Sequence, residues 1–246
     1  MVTLGRKIRQ LTYRNYGKRD QFKIYYRIGL KLLLNYSNHI DRYLIIKEPY
    51  ESEQLDHFIN ILTTENFDLF VDVGANIGLY SLLAANTGEI ENIIAFEPDI
   101  RNNYQFKTNI LLNDFFKKIK VYDYGLSNEN TEVNFLSEKG RSTGHSRIEI
   151  TAPTSTKTDR FEKTIIKVAK FDSKFDFNSC KVFIKMDVEG HELNAIKGMK
   201  EFLKKNKCIF QVEVFEENMA NVKSYMDRLG YHKIREFGED RIFINY

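Results

Sequence analysis

The run Asp187-Val188-Glu189-Gly190-His191-Glu192 puts three carboxylates and an imidazole into six consecutive residues. Groups of this kind can take the proton of a weak nucleophile such as a hydroxyl, a step that contributes roughly 10²–10⁴-fold to a rate. His191 is the first candidate base, because imidazole has a reference pKa near ~6.5 against ~4 for Asp187 or Glu189. Its competing role is to cap the helix that begins at Glu192-Leu193, where the helix dipole also lowers its basicity. Asp187 and Glu189 alternate along a strand end and can both face an acceptor. Glu192, in the first helical turn, fits a structural role. A divalent ion is the alternative: Asp187 with Glu213, Glu216 or Glu217 after the next strand would make a hard oxygen site that lowers the pKa of a bound hydroxyl. His145, in loop-rich text, is a further histidine to be placed.

A second group precedes it. Phe70-Val71-Asp72-Val73-Gly74-Ala75-Asn76-Ile77-Gly78 reads as a strand and a glycine-bearing turn, followed by a helix and a second strand, Ile93-Ile94-Ala95-Phe96-Glu97. An open parallel sheet grips a nucleoside in this way. Gly74 and Gly78 let the backbone bend and approach a ligand closely, with Asn76 between them, while Glu97 sits where two ribose hydroxyls can be held. The spacing is not the three-glycine dinucleotide fingerprint, so S-adenosylmethionine fits better than NAD. Asp72 would orient the turn or hold a methionine ammonium. Asp123, ending a third strand, is placed to accept from an adenine amino group, with a turn-forming aspartate as the competing reading.

These groups must be positioned by the elements around them. Buried apolar runs alternate with amphipathic segments: strands near 69–73, 92–97, 119–124, 181–187 and 208–215, and helices over 77–86, 100–113, 192–205 and 217–229. This predicts an α/β fold, a Rossmann-like parallel sheet with helices on both faces. Tyr231–Phe237 and Arg241–Tyr246 flank Gly238-Glu239-Asp240 and predict a terminal antiparallel hairpin, making the sheet seven-stranded. Residues 127–170 lack a helical period and read as an inserted β-excursion over the ligand edge. Arg6 to Ile46 reads as two short helices, with Ile24, Ile28 and Leu32 at helical spacing. The expected organisation is a basic helical N-terminal cap over 1–47 and a catalytic domain over 48–246.

Composition narrows the setting. With 246 residues, 42% of them hydrophobic, one α/β core plus an appendage is the expected size. No run approaches ~18 apolar residues and no apolar signal core follows the first basic residues, so a cytoplasmic location is expected. The two cysteines show neither metal spacing nor a disulfide framework. Residues 1–47 hold eleven Lys/Arg and two Asp/Glu, an excess of nine positive charges that leaves the rest at −6 for a total of +3. Such a segment suits an acidic partner such as a phosphate-bearing substrate, the inner face of a membrane or nucleic acid, with a solvated amphipathic face as the competing reading. By contrast, no lysine or arginine occurs from Glu48 to Asp99, the stretch assigned to a cationic sulfonium ligand.

Phe70 to Gly78, Phe96-Glu97-Pro98, Gly125-Leu126-Ser127 and Ile184-Lys185-Met186-Asp187-Val188-Glu189-Gly190-His191-Glu192, followed by Ile196-Lys197-Gly198, resemble the FkbM family of S-adenosylmethionine-dependent methyltransferases. The resemblance covers roughly Pro49 to Phe215. It implies a class I methyltransferase sheet and methyl transfer to a hydroxyl oxygen, often on sugars of bacterial capsule or lipopolysaccharide and sometimes on secondary metabolites. The candidate partners are then a small-molecule or polysaccharide-precursor acceptor and a second copy of the chain. A nucleic-acid methyltransferase is the rival enzyme. Against it, Asp187-Val188-Glu189-Gly190 stands where a base-amine enzyme would carry an Asn/Asp-Pro-Pro-aromatic block to stack a flipped base. A non-catalytic binding module of the same fold is the remaining alternative.

Overall fold

The computed structural model describes residues 21–139, 145–149 and 161–246. The chain opens with a hairpin, β1 (Phe22–Arg27) and β2 (Leu30–Asn35), then α1 (His39–Ile46) and α2 (Ser52–Thr64). Next come β3 (Leu69–Val73), α3 (Leu79–Thr87), β4 (Ile93–Phe96), α4 (Ile100–Leu112) and β5 (Ile119–Tyr122). An excursion follows, formed by β6 (Gly125–Leu126), β7 (Thr131–Glu138), β8 (Arg147–Ile148) and β9 (Phe161–Ala169). The chain then returns through β10 (Lys181–Met186), α5 (Glu192–Gly198), α6 (Lys200–Lys205), β11 (Lys207–Glu213), α7 (Glu216–Arg228), β12 (His232–Phe237) and β13 (Asp240–Ile244).

The central sheet has the order β12-β13-β11-β10-β3-β4-β5. β3, β4, β5, β10 and β11 run parallel, and β13 enters antiparallel beside β11. From β3 the chain winds outward to β5, then crosses back to β10 on the other side. The carboxyl ends of β3 and β10 therefore flank the point where the winding reverses, where open sheets leave a crevice for ligands. The central strands are buried on both faces. In β3, Phe70 packs into one apolar layer, while Leu69, Val71 and Val73 pack into the other.

The two short helices expected between Arg6 and Ile46 are not what residues 22–35 form. Phe22-Lys23-Ile24-Tyr25-Tyr26-Arg27 is a strand paired antiparallel with Leu30–Asn35 across the loop Ile28-Gly29. Aromatic and β-branched residues alternating at period two favour a strand, and a glycine at the midpoint disfavours a helix. The second half of the segment does contain a helix, α1. Leu30, Leu32 and Leu34 are buried in the same apolar layer as Phe58 and Phe70. Residues 1–20 lie outside the described residues.

A row of amides on α4 fastens this hairpin. Gln105, Asn109 and Asn113 recur every four residues and so line one helix face. Asn113 accepts from the Lys31 N–H and donates to the Lys31 carbonyl (2.9 and 2.8 Å), Asn109 accepts from the Leu33 N–H (2.7 Å), and Gln105 donates to the Leu33 carbonyl (2.9 Å). The strand edge that would otherwise lie bare is thus paired by side chains. Beneath it Asp41 is buried and accepts from the Asn35 N–H at 2.7 Å and from Gln105 at 2.8 Å.

The excursion expected over 127–170 forms a four-stranded sheet of order β6-β9-β7-β8. Its loop texts Gly140-Arg141-Ser142-Thr143-Gly144 and Pro153-Thr154-Ser155-Thr156 lie outside the described residues. Among the described residues no helix is long and apolar enough to cross a membrane.

Candidate active site

The crevice at the reversal point is an open cleft lined by the turns after β3 and β10, the end of β4 and the excursion. Its floor is the turn after β3. Gly74 holds φ +79, and a Cβ there would stand 1.8 Å from the Asp187 carbonyl oxygen, so only glycine lets the turns after β3 and β10 cross. Gly78 meets a different constraint: a Cβ would lie 2.0 Å from the Phe106 ring, so this glycine seats the start of α3 against α4 and is absent from the cleft wall. Asn76, at φ +51, donates its backbone N–H to Glu97 Oε2 at 2.7 Å. The Asp99 N–H donates to Glu97 Oε1, also at 2.7 Å. Burial pushes the Glu97 carboxyl up to about 8, against the opposing pull of these N–H donors.

The remaining sequence-predicted cofactor residues separate in space. Asp72 is buried below the turn, accepts from the Ser81 hydroxyl at 2.6 Å and is pushed up to about 6 by burial. It lines an adjoining chamber and not the main cleft. Asp123 is exposed and stands outside the cleft wall. Instead, Phe96, Pro98, Leu126, Phe135 and Ile148 form an apolar slot suited to a purine, with Asn102 beside it. The Asn102 Oδ1 is buried with no hydrogen-bond partner. Phe135, Ser146, Arg147 and Ile148 come from the excursion, whose irregular text gave no signal for their role. Asn102, one turn into α4 after Glu97, was discoverable from helical spacing.

The excursion is latched next to Glu97. Asp99 caps α4 by accepting from the Arg101 N–H at 3.0 Å, and its Oδ2 receives Arg101 Nη2 (2.9 Å), the Ser137 hydroxyl (2.8 Å) and the Ser146 hydroxyl (3.2 Å). Arg101 also reaches the Ser137 hydroxyl at 2.6 Å and the Glu138 carbonyl at 3.1 Å. Burial opposes the charge on Asp99, but the guanidinium and hydroxyl donors outweigh it and hold the carboxyl below its ordinary range. One residue therefore joins the Glu97 carboxyl, through its backbone, to the excursion, through its side chain.

The acidic corner after β10 lies opposite. Asp187 lines both the cleft and the second chamber, of about 410 Å³, where Tyr50, Glu51, Tyr80 and Lys185 converge. Lys185 Nζ binds Asp240 at 2.9 Å and lies 4.0 Å from Glu213. Asp187 and Glu213 share a hydrogen bond, and burial raises both, Glu213 to about 9. The ammonium of Lys185 occupies the neighbourhood in which a divalent ion was expected. Glu216 and Glu217 are exposed at the start of α7. Among the described residues no group of three or more His, Cys, Asp or Glu is arranged to hold a metal.

Glu189 sits at φ +52 on the cleft wall, with His145 Nδ1 3.6 Å away. Burial, with Asp187 nearby, pushes its carboxyl up to about 8. His191, also on the wall, bonds Ser127 Oγ through Nε2 at 3.0 Å and makes no side-chain cap to α5. Burial pushes its imidazole down to about 4, so it is neutral at pH 7. That reverses the order of basicity given by reference values. Glu192 accepts from the Gly190 N–H at 2.6 Å, which fixes the turn.

The reversed sheet, the glycine turn beneath a strand-end carboxylate and the acid-lined cleft define a class I methyltransferase. The Methyltransferase FkbM domain matches residues 72–233, about two thirds of the chain, and the chain belongs to that family. It is a S-adenosylmethionine-dependent methyltransferase. The methyltransferase sdnD of Sordaria araneosa is 27% identical over 187 residues, 66% of this chain and 70% of that protein. The AMB antimetabolite synthetase AmbE of Pseudomonas aeruginosa is 29% identical over 112 residues, 46% of this chain and 5% of that protein. The crystal structure of methyltransferase FkbM from Methylobacillus flagellatus matches with a TM-score of 0.52 at 18% identity, a likeness of fold. The match covers 96% of this chain and 59% of that one, so the chain spans less than two thirds of that structure's length. The lining fits S-adenosylmethionine: an apolar slot, the buried Glu97 carboxyl and the acidic corner of Asp187 and Glu189 share one cleft.

Proposed function

We propose that the chain methylates a hydroxyl of a sugar or sugar-linked acceptor, in the synthesis of a bacterial surface polysaccharide. The observation that carries this reading is Glu189, a cleft-wall carboxyl whose pKa burial moves to about 8. A hydroxyl becomes a competent nucleophile as its proton leaves, and a carboxyl with a pKa near neutrality can take that proton. The hydroxyls and charged groups of Tyr50, Glu51, Tyr80 and Lys185 in the second chamber suit a polyhydroxyl ligand.

S-adenosylmethionine supplies a methyl carbon carried on a sulfonium. Glu97 and the turn around Asn76 hold the nucleoside, and the excursion closes over it. Glu189, on the cleft wall, would take the acceptor proton as the methyl group passes to the oxygen. Asp187, on the wall between the chambers, orients the acceptor. Neutral His191, bonded to Ser127, shapes the wall.

Glu189→Gln is expected to lower kcat roughly 10²–10⁴-fold, with cofactor affinity by titration calorimetry little changed. Full activity in that variant would remove Glu189 as the base. Activity lost to a chelator and restored by a divalent ion would move the chemistry to Asp187 and Glu213. In cells, surface glycans lacking this activity should be lighter by about 14 mass units, one CH₂ per site. A secondary-metabolite acceptor is the second reading, favoured by the similarity to AmbE, an antimetabolite synthetase. An unchanged glycan mass would select it.

A further inference from the structure

The N-terminal hairpin presents an apolar face that methyl transfer leaves unused. Pairing sets Phe22 opposite Asn35, Ile24 opposite Leu33 and Tyr26 opposite Lys31, so these side chains share one face. The other face, with Leu30, Leu32 and Leu34, is buried in the core. On the outward face Phe22, Ile24 and Tyr26 are 50%, 60% and 69% exposed, and Ile28 at the tip is 48% exposed.

Ile28 is an outlier on a second count. It holds φ +47 beside Gly29 at +79, the paired positive φ of a two-residue turn that Asn-Gly or Asp-Gly adopts with least strain. A β-branched side chain is rare in that region. The tip thus holds a strained residue whose side chain is half in water. Strain that returns no packing points to a use for the side chain itself.

Charge selects the occupant. The described residues 21–47 carry five Lys/Arg against one Asp/Glu. A symmetric dimer through this face would oppose two such segments, because isologous contacts pair a patch with itself. Nucleic acid would meet the cations but leave Ile24 and Ile28 in water, since branched aliphatic side chains offer no plane for base stacking. Anionic lipid meets both needs, with headgroups for the cations and the acyl boundary for the apolar face. We propose that this hairpin docks the enzyme on an anionic phospholipid bilayer, with Ile28 leading and Phe22, Ile24 and Tyr26 entering behind it. The proposal is independent of which hydroxyl is methylated.

The test is co-sedimentation of the full chain with phosphatidylglycerol vesicles and, separately, phosphatidylcholine vesicles. The chain should pellet with the first and not the second, and the association should weaken in about 0.5 M salt as screening sets in. Ile28→Asn should raise Tm by relieving the turn and yet weaken vesicle partition roughly tenfold. Ile24→Asp with Tyr26→Asp should abolish partition and leave S-adenosylmethionine binding intact. Absence of pelleting with phosphatidylglycerol, or pelleting indifferent to both variants, overturns the proposal. So does a dimer in sedimentation velocity, or retention on single-stranded RNA, that these variants abolish while vesicle binding is absent.

Discussion

Two appendages are fastened to the same helix, α4, by different chemistry. At its N-terminal end the excursion is held through Asp99 and Arg101, an ionic latch with two serine hydroxyls. Along its side the hairpin is held by the amides of Gln105, Asn109 and Asn113, with Asp41 as the titratable group among them. The latch shares its residue with the cleft carboxylate, since the Asp99 N–H donates to Glu97. The amide row meets strand backbone, Asp41 and the Asn38 amide, and Asn109 also donates to the Ile77 carbonyl in the turn after β3 at 3.3 Å. The latch meets the cleft carboxylate directly, whereas the amide row reaches the turn after β3 only through one carbonyl, that of Ile77.

The strongest way to break this contrast is Asp99→Ala. It removes the α4 cap and strands Arg101, so stability by urea unfolding should fall by about 2–3 kcal/mol. The Kd for S-adenosylmethionine should rise at least roughly tenfold, equivalent to about 1.4 kcal/mol, and protease cleavage in the excursion should accelerate. Unchanged affinity with the same loss of stability would make the latch a scaffold like the other. Asn109→Ala leaves the half-buried Leu33 N–H without its side-chain acceptor and the Ile77 carbonyl without its side-chain donor; it should cost about 1–2 kcal/mol and raise the cofactor Kd by calorimetry less than Asp99→Ala does.

The smallest effect sharpens the contrast through pH. Burial pushes Asp41 up to about 6, despite the Asn35 N–H and Gln105. Between about 4, the value in an unfolded chain, and about 6, the folded protein keeps a proton that the unfolded chain has lost. The stability from Asp41 is therefore complete below that window and disappears as pH rises through about 6. Asp99, held below its ordinary range, behaves oppositely: its contribution is complete above about 4 and is lost as pH falls through the depressed value. Asp41→Asn should flatten the upper limb of a stability–pH profile while leaving the acid limb in place. Loss of both limbs would mean that the two fastenings titrate as one.

Much of the core was legible because its signals are local. The apolar runs from Leu69 onward, separated by amphipathic helices, dictate a buried parallel sheet, and Gly74 and Glu97 follow from where such strands end. The hairpin was illegible for a physical reason. Ile24, Ile28 and Leu32 are spaced by four, which suits one helical face, and the Ile28-Gly29 turn lacks the asparagine or aspartate that marks a reversal. The turn places Leu32 in the core and Ile24 in water. In the site, identity and order were readable but environment was not. His191 looks like a base until desolvation lowers it, and Glu189 looks like an ordinary acid until burial raises it. Arg147 and Phe135 reach the cleft only because the excursion folds back, a tertiary event with no local trace.

The missing side chain at Gly74 has a last consequence. Because the loops after β3 and β10 touch there backbone to backbone, the bed under the methyl donor is a rigid joint without play. Any change in the width of the cleft is then left to the opposite wall, where Phe135, Arg147 and Ile148 of the excursion line it.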